Sequence, residues 1–189
     1  PSLDEIHRGV RESLAQKGFA ESENVHYLIS NASGDFKIAS QIAQKIASQK
    51  PTVVVAITTP SAQTLAKTLQ KSKTPLVFAA VTDPVQAHLV PTPHKSGRFI
   101  TGTIDFPPVK KQVELIKIMN ENIRVVGILY SLSESNAVAQ VIAFERAAHQ
   151  GGLRVVKVGV SKSSDIPQAS QRLLKQVDCV MVLNDNTIV

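Results

Sequence analysis

"TVVVAITTPSAQ", Thr52 to Gln63, decides the fold. Its first half is a continuous apolar, β-branched run, the mark of a parallel strand covered on both faces. Its second half turns at once into a helix start. Thr59 reads as the N-cap and Pro60 as a first-turn residue, whose missing N–H costs a helix nothing there. A buried strand that passes straight into a helix is half of a βα unit, and the rest of the chain repeats it.

Working toward the amino end, Leu3, Ile6, Val10 and Leu14 fall at helical spacing, and Gly18 supplies a stop. "NVHYLIS" (24–30) reads as a strand. In "FKIASQIAQKIAS" the residues Ala39, Ile42, Ala43, Ile46 and Ala47 share one helical face. Toward the carboxyl end, "PLVFAAV" (75–81) and "RFITGTI" (98–104) read as strands. Two prolines in "DFPP" (105–108) interrupt the pattern, since proline cannot continue a central strand. The alternation then resumes with helix 109–119, strand 124–130 and helix 135–149, closed at Gly151 or Gly152. Strand 154–160, helix 166–175 and strand 179–183 follow. Alternation of this kind predicts α/β lobes with parallel sheets and right-handed crossovers.

The halves echo each other. "SGDFKIASQ" ends at Gln41 and "SSDIPQASQ" at Gln171, an offset of 130 residues. Each opens a helix that leads to a buried strand, ending in "ITTPSAQ" in one half and "LNDNTIV" in the other. Two similar lobes are expected, at 1–105 and 106–189. Both read as incomplete. In a doubly wound sheet of order 2-1-3-4-5 the first lobe lacks its central first strand, and the second stops after its third. Such a sheet leaves unpaired backbone groups, so the isolated chain is expected to be unstable, to associate, or to exchange strands with another copy. The chain begins at Pro1 rather than Met, which suggests that an upstream segment has been removed.

Composition narrows the function. The 189 residues are 43% hydrophobic and 19% charged, an ordinary globular balance. The net charge is +6, but the lysines are scattered and no aromatics interleave with them, so they read as solvated faces rather than a nucleic-acid surface. The single cysteine, Cys179, lies in an apolar run and supports neither an intrachain disulfide nor a metal site. No apolar stretch is long enough to span a bilayer. No two of His7, His26, His88, His94 and His149 have ligand spacing. No nucleophile elbow, phosphate loop or dinucleotide fingerprint occurs, so no catalytic residue and no cofactor is expected.

Ligands of open parallel sheets bind outside the carboxyl ends of the strands. Here those ends read "SNASGD", "TTPSAQ", "TDP", "SLSESNA", "SKSSD" and "NDNT", all rich in hydroxyls, amides and carboxylates. Thr58, Thr59 and Ser61 surround a helix N-terminus, where free N–H groups and the helix dipole favour an anion such as a carboxylate. Ser135 and Asn136 offer donors at a second helix start. Asp83 and Asp185, one in each half, suit a ligand ammonium. Together these groups fit a zwitterion such as an amino acid. Capping alone also explains any one of these residues; the case for a site rests on all the ends being polar.

"GFAESENVHYLISNASGD", "ASQIAQKIASQKPTVVVAITTPSAQ", "TPLVFAAVTDPVQAHLV", "ITGT", "GILYSLSESNA" and "VMVLNDNTIV" resemble the ABC-transporter substrate-binding proteins of the tryptophan/tyrosine-type family, across essentially the whole chain. The resemblance implies a two-lobed periplasmic-binding fold that closes by a hinge motion on an amino-acid-like ligand, aromatic or otherwise apolar. It implies an extracytoplasmic protein, often a membrane-anchored lipoprotein, that delivers ligand to an ABC permease. Carried over by position, the contacts are Thr59, Ser61, Thr82, Asp83, Ser135, Asn136 and Asp185, and "PSLD", with Leu3 and Asp4, resembles the segment after the first strand. "LNDN" stands where "PTDN" is common in that family, and His88 where a small residue is usual. The alternatives are a ligand-sensing domain of a regulator or receptor with the same fold, and an α/β enzyme.

Overall fold

The structure, a computed structural model, describes residues 2–21, 23–96 and 99–188. Its contacts divide into two compact units, Pro1–Ile104 and Asp105–Val189. Each holds a parallel three-stranded sheet with helices packed on it.

The first unit runs α1 (Ser2–Gln16), α2 (Phe36–Ser48), β1 (Val54–Ile57), α3 (Thr59–Thr68), β2 (Leu76–Val81) and β3 (Ile100–Ile104), with sheet order β1-β2-β3. α1 stops two residues before Gly18, whose φ of +85° favours glycine. α2 begins where Asp35 Oδ1 accepts the amide N–H groups of Lys37 (2.7 Å) and Ile38 (3.0 Å). Its face from Ala39 to Ala47 is the one turned inward, as the spacing predicts, with Ala43 fully buried. The core gathers Val54, Ala56, Ala62, Leu65, Leu69, Leu76, Phe78 and Val81 between the sheet and α2 and α3.

Two expectations for this unit need correction. Residues 24–30 form no strand: Val25 makes one isolated bridge to Glu21, and Leu28 and Ile29 stay exposed. A β-branched run becomes a strand only when a neighbour takes its backbone hydrogen bonds, and among the described residues none does. Nor is β1 covered on both faces: Val54 and Ala56 are buried, while Val53 and Val55 are exposed.

The second unit runs α4 (Val109–Met119), β4 (Val125–Ser131), α5 (Ser135–Gln150), β5 (Arg154–Val160), a 3₁₀ turn at Ser163–Asp165, α6 (Ile166–Leu174) and β6 (Cys179–Met181). Its order is β5-β4-β6. β4 is central and fits the buried-strand reading. Val126 and Ile128 pack with α4 and α5, including Val113 and Phe144, while Leu129 packs with Ala169 and Leu173 of α6 on the other face. β6 is shorter than expected, ending at Met181 rather than Leu183.

The sequence echo is only partly a structural one. Asp35 caps α2 through two amides, but Asp165 makes no such bond. Two residues on from Asp165 stands Pro167, which has no N–H to give, and a 3₁₀ turn precedes the helix instead. In this order the chain leaves β4 for β5 on one side and β6 lies on the other. The topological switch point, where ligands of such sheets bind, therefore falls at the carboxyl end of β4.

Candidate functional site

In the first unit the polar residues gather at the ends of β1 and β2. The N-cap of α3 is Thr58, not Thr59. Thr59 is the first helical residue and Pro60 the second, where its fixed φ and missing N–H are equally well tolerated. Thr58 does not cap through its side chain, which instead donates to Ser61 Oγ at 3.2 Å. Its backbone sits at φ 83°, ψ 155°, a region that essentially only glycine occupies. Thr59 is 2% exposed and its Oγ1 is buried without a hydrogen-bond partner. The first turn of α3 holds no acidic side chain of its own to offset the positive end of the helix.

The adjoining end of β2 is also distorted. The register against β3 shifts between Phe78 and Val81, and Ala80 has a φ of +52°. Thr82 is buried. Asp83 is half-buried, and its Oδ1 accepts the amides of Val85 and Gln86, both at 3.0 Å, so that oxygen closes its own turn. Gln63 Nε2 donates to Ala87 O at 3.2 Å and ties α3 to that turn. The Gln of "TPSAQ" thus joins α3 to the turn that follows β2.

Strain at Thr58 is measurable. Thr58→Gly removes the Cβ that makes this conformation costly, about 1–3 kcal/mol, and adds a glycine entropy cost of about 0.5–1 kcal/mol. With the Thr58 hydrogen bond to Ser61 also given up, about 0.5–1 kcal/mol, the variant is expected to be as stable as the natural protein or slightly more so in urea unfolding; a loss of about 2 kcal/mol would mean that the turn is not strained in solution.

In the second unit the site forms at the switch point, where the start of α5 meets the loop after β6. Its centre is Glu134, which the sequence reading passed over. Glu134 is the N-cap residue of α5 and 2% exposed, yet its side chain does not cap the helix. It turns to the distant loop. Oε2 accepts Asn186 Nδ2 (2.6 Å), Asn186 N (3.0 Å) and Asn136 Nδ2 (3.1 Å), and Oε1 accepts Thr187 Oγ1 (2.7 Å). Burial pushes this carboxyl up, but the hydrogen bonds from Asn186, Thr187 and Asn136 outweigh it, and the net shift is downward.

Asn136 is 4% exposed and Gln140 is fully buried one turn later. Asn136 Nδ2 also donates to Asn184 O at 2.8 Å. Gln140 brackets the same residue, donating to Asn184 O (3.0 Å) and accepting from Asn184 N (3.1 Å). Ser135 Oγ and Asn136 Oδ1 are buried without partners.

Asp185 does not stand free for a ligand ammonium, as the sequence suggested. It is 3% exposed, and its carboxylate accepts the backbone N–H groups of Ser131 (2.6 Å), Thr187 (2.9 Å) and Ile188 (3.1 Å). A carboxylate has about four acceptor positions, so roughly one remains. Burial raises its pKa, the nearby Glu134 charge adds to the rise, and the backbone hydrogen bonds only partly oppose it. Asn136 is corrected in the same way: both of its N–H groups are already used, and the open atom is an acceptor.

Of the remaining candidates, Leu3 and Asp4 lie in the first turn of α1, where Leu3 is exposed. Glu134 and Gln140 were missed because a helix-start Glu and a mid-helix Gln ordinarily face solvent. The available signal was that both fall on the helix entered from the central strand. Among the described residues no group of His, Cys, Asp and Glu could hold a metal ion.

Parallel α/β units with polar groups gathered at their strand ends place the chain among the open-sheet α/β folds, whose ligands bind at that edge. The chain matches the family described as "ABC transporter substrate binding protein" over residues 1–189, and it belongs to that family. It is 35% identical over its full length to the tyrosine-binding protein of Clostridioides difficile, and it spans 54%, about half, of that relative. A Streptococcus pneumonia ABC domain solved in complex with L-Trp is 36% identical, with a TM-score of 0.94. A conserved domain protein from Vibrio cholerae is also 36% identical, with a TM-score of 0.91. All of this chain and 63% of each of those two structures are covered.

Proposed function

We propose that this chain is part of the solute-binding component of an ABC importer, and that its ligand is a small amino-acid-like molecule with an aromatic or other apolar side chain. One observation carries the reading. At the strand-to-helix turns of both units, buried polar atoms are left unpartnered: Thr59 Oγ1 in one, Ser135 Oγ and Asn136 Oδ1 in the other. Each such atom costs about 1–3 kcal/mol, and costs of that kind gather where a ligand completes the bonding. Thr58, Thr59, Ser61 and Thr82 suit a carboxylate. Ser135, Asn136 and Asp185 suit donor groups, and Asp83 keeps an oxygen beyond the one in its turn. The binding of tyrosine and of L-Trp by relatives supports an aromatic amino acid.

In this reading the chain binds and does not catalyse, and it works in the periplasm or at the cell surface beside a membrane permease. Among the described residues no helix is long and apolar enough to cross a membrane. The other reading of the sequence, a sensing domain of a regulator, gains no support from the family match.

Calorimetric titration of the natural protein against the amino acids, hydroxybenzoates and sugars tests the proposal. Saturable binding of one or more aromatic or aliphatic amino acids is the expected result. Heat from sugars alone, or from nothing in the panel, would overturn it.

A further inference from the structure

Gln140 is buried where a mid-helix glutamine ordinarily faces solvent. It lies in the second turn of α5 between the buried Ala139 and Val141, and it is 1% exposed. A buried amide needs partners for its two N–H groups and its oxygen. Gln140 finds them within the protein. Nε2 donates to Asn136 O (3.1 Å) and Asn184 O (3.0 Å), and Oε1 accepts from Asn184 N (3.1 Å). Both donors are taken and the group is shut off from solvent, so Gln140 has no N–H with which to reach a ligand.

What it holds is a stretch of backbone beside the candidate site. The ladder between β4 and β6 ends at Ile128 and Met181. Past that end Gln140 takes the place of a strand. With the N–H and C=O of Asn184 it makes the paired exchange that opposed residues make in an antiparallel ladder. Two candidate groups depend on that grip. Asn136 Nδ2 donates to the same Asn184 oxygen, while its Oδ1 stays buried and unpartnered. Asp185 is the next residue along the chain, and its carboxylate keeps about one acceptor position. The first unit has a slighter version: Gln63 reaches only the carbonyl of Ala87, whose N–H goes to Asp83 O.

We propose that Gln140 is a positioning residue for ligand binding: by fixing the backbone of Asn184 it sets the places of Asn136 Oδ1 and the Asp185 carboxylate without touching the ligand. The proposal rests on the amino-acid-binding reading and adds to it a residue that acts only through another.

Gln140→Glu makes the grip switchable. Protonated, the new side chain keeps the exchange, its O–H donating to Asn184 O and its C=O accepting from Asn184 N; only the bond to Asn136 O is lost. Ionised, it has no proton to give and sets a carboxylate against the Asn184 carbonyl. Burial and the Glu134 and Asp185 carboxylates of the same cluster favour the protonated form, so the variant is expected to be protonated at about pH 5.5 and ionised at about pH 8.5.

Calorimetric titration uses L-tryptophan, L-tyrosine or L-leucine, whichever the natural protein binds most tightly. The natural protein at the same pH is the reference, so titration of the ligand, Glu134 and Asp185 enters both measurements alike. Gln140→Glu is expected within about threefold of the natural affinity at the lower pH and at least about tenfold weaker at the higher. Gln140→Met fills the space without hydrogen bonds and is expected to be about tenfold weaker at both. Urea unfolding at each pH gives the folded fraction and separates weak binding from loss of fold. Natural affinity in folded variants at both pH values, whatever their stability, overturns the proposal, because Gln140 then supports only the fold. So does a Gln140→Glu affinity that fails to recover at the lower pH. If Gln140→Glu does not fold at the higher pH, Gln140→Met decides, and natural affinity there overturns the proposal. Binding of none of the three by the natural protein overturns the amino-acid reading itself, and this proposal with it, before any variant is made.

Discussion

Glu134→Ala is expected to destabilise the second unit by about 3 kcal/mol, because four donors lose a charged acceptor at once. Asn186 is exposed and can turn to water, so the loss is smaller than four separate charged hydrogen bonds would suggest. The remaining cost falls on Asn136 and on Thr187, and the loop at 184–187 is expected to lose its fixed geometry. The effect depends on pH. The folded-state pKa of Glu134 lies below its ordinary value of 4.5. Its contribution is therefore present above pH 4.5 and is lost as pH falls through the lower folded value. Asp185 has the opposite sign: its raised pKa favours the protonated form in the fold, so ionisation costs stability as pH rises through the folded value. The stability gap between wild type and Glu134→Gln, read by urea unfolding, should narrow as the pH drops from 6 toward 3, about the interval over which such a carboxylate titrates. A gap that stays constant would mean that Glu134 carries no charge in the fold.

Gly102→Ala is expected to cost the first unit about 3 kcal/mol. Gly102 lies in β3 directly opposite Phe78 of β2. A Cβ there would overlap the Phe78 carbonyl oxygen and meet the Phe78 ring carbons at 2.5 Å. The carbonyl belongs to the backbone of the central strand and cannot move without breaking the ladder. Gly127→Ala in β4 is the control. The three atoms nearest to its Cβ would be side-chain carbons of Leu173 and Val177, at 3.0–3.1 Å, and a side chain yields more readily than a backbone carbonyl. That variant is expected to lose about 1 kcal/mol or less. Equal losses in the two would place the strain in the glycines themselves rather than in the close approach of β3 to Phe78.

Much of the fold was legible in the chain. The apolar runs at β1, β2 and β4 announce strands because their length and β-branching suit a buried extended backbone. The helices were legible from their period, as the inward face of α2 shows residue by residue. The segment 24–30 was misread because a strand is a property of a pair, and its own composition says nothing about whether a partner is present. The cap at Thr59 was misplaced by one residue because Thr58 takes a backbone conformation that no propensity assigns to threonine.

The candidate site divides along the same line. Sequence alone determined that each of these strands runs into a polar turn and that the turns fall at the carboxyl ends of parallel strands, since both follow from local pattern and the βα repeat. Only the tertiary structure decided what those polar atoms do. Asp185 and Asn136 looked like free ligand contacts, but most of their capacity is spent within the protein, in part on groups some 50 residues away, and only an acceptor position is left over on each. Glu134 looked like a solvated helix start and is the buried centre of the cluster. The reason is physical: a side chain's hydrogen-bonding capacity is set by its type, but which part of it is left over depends on neighbours that only the fold brings together.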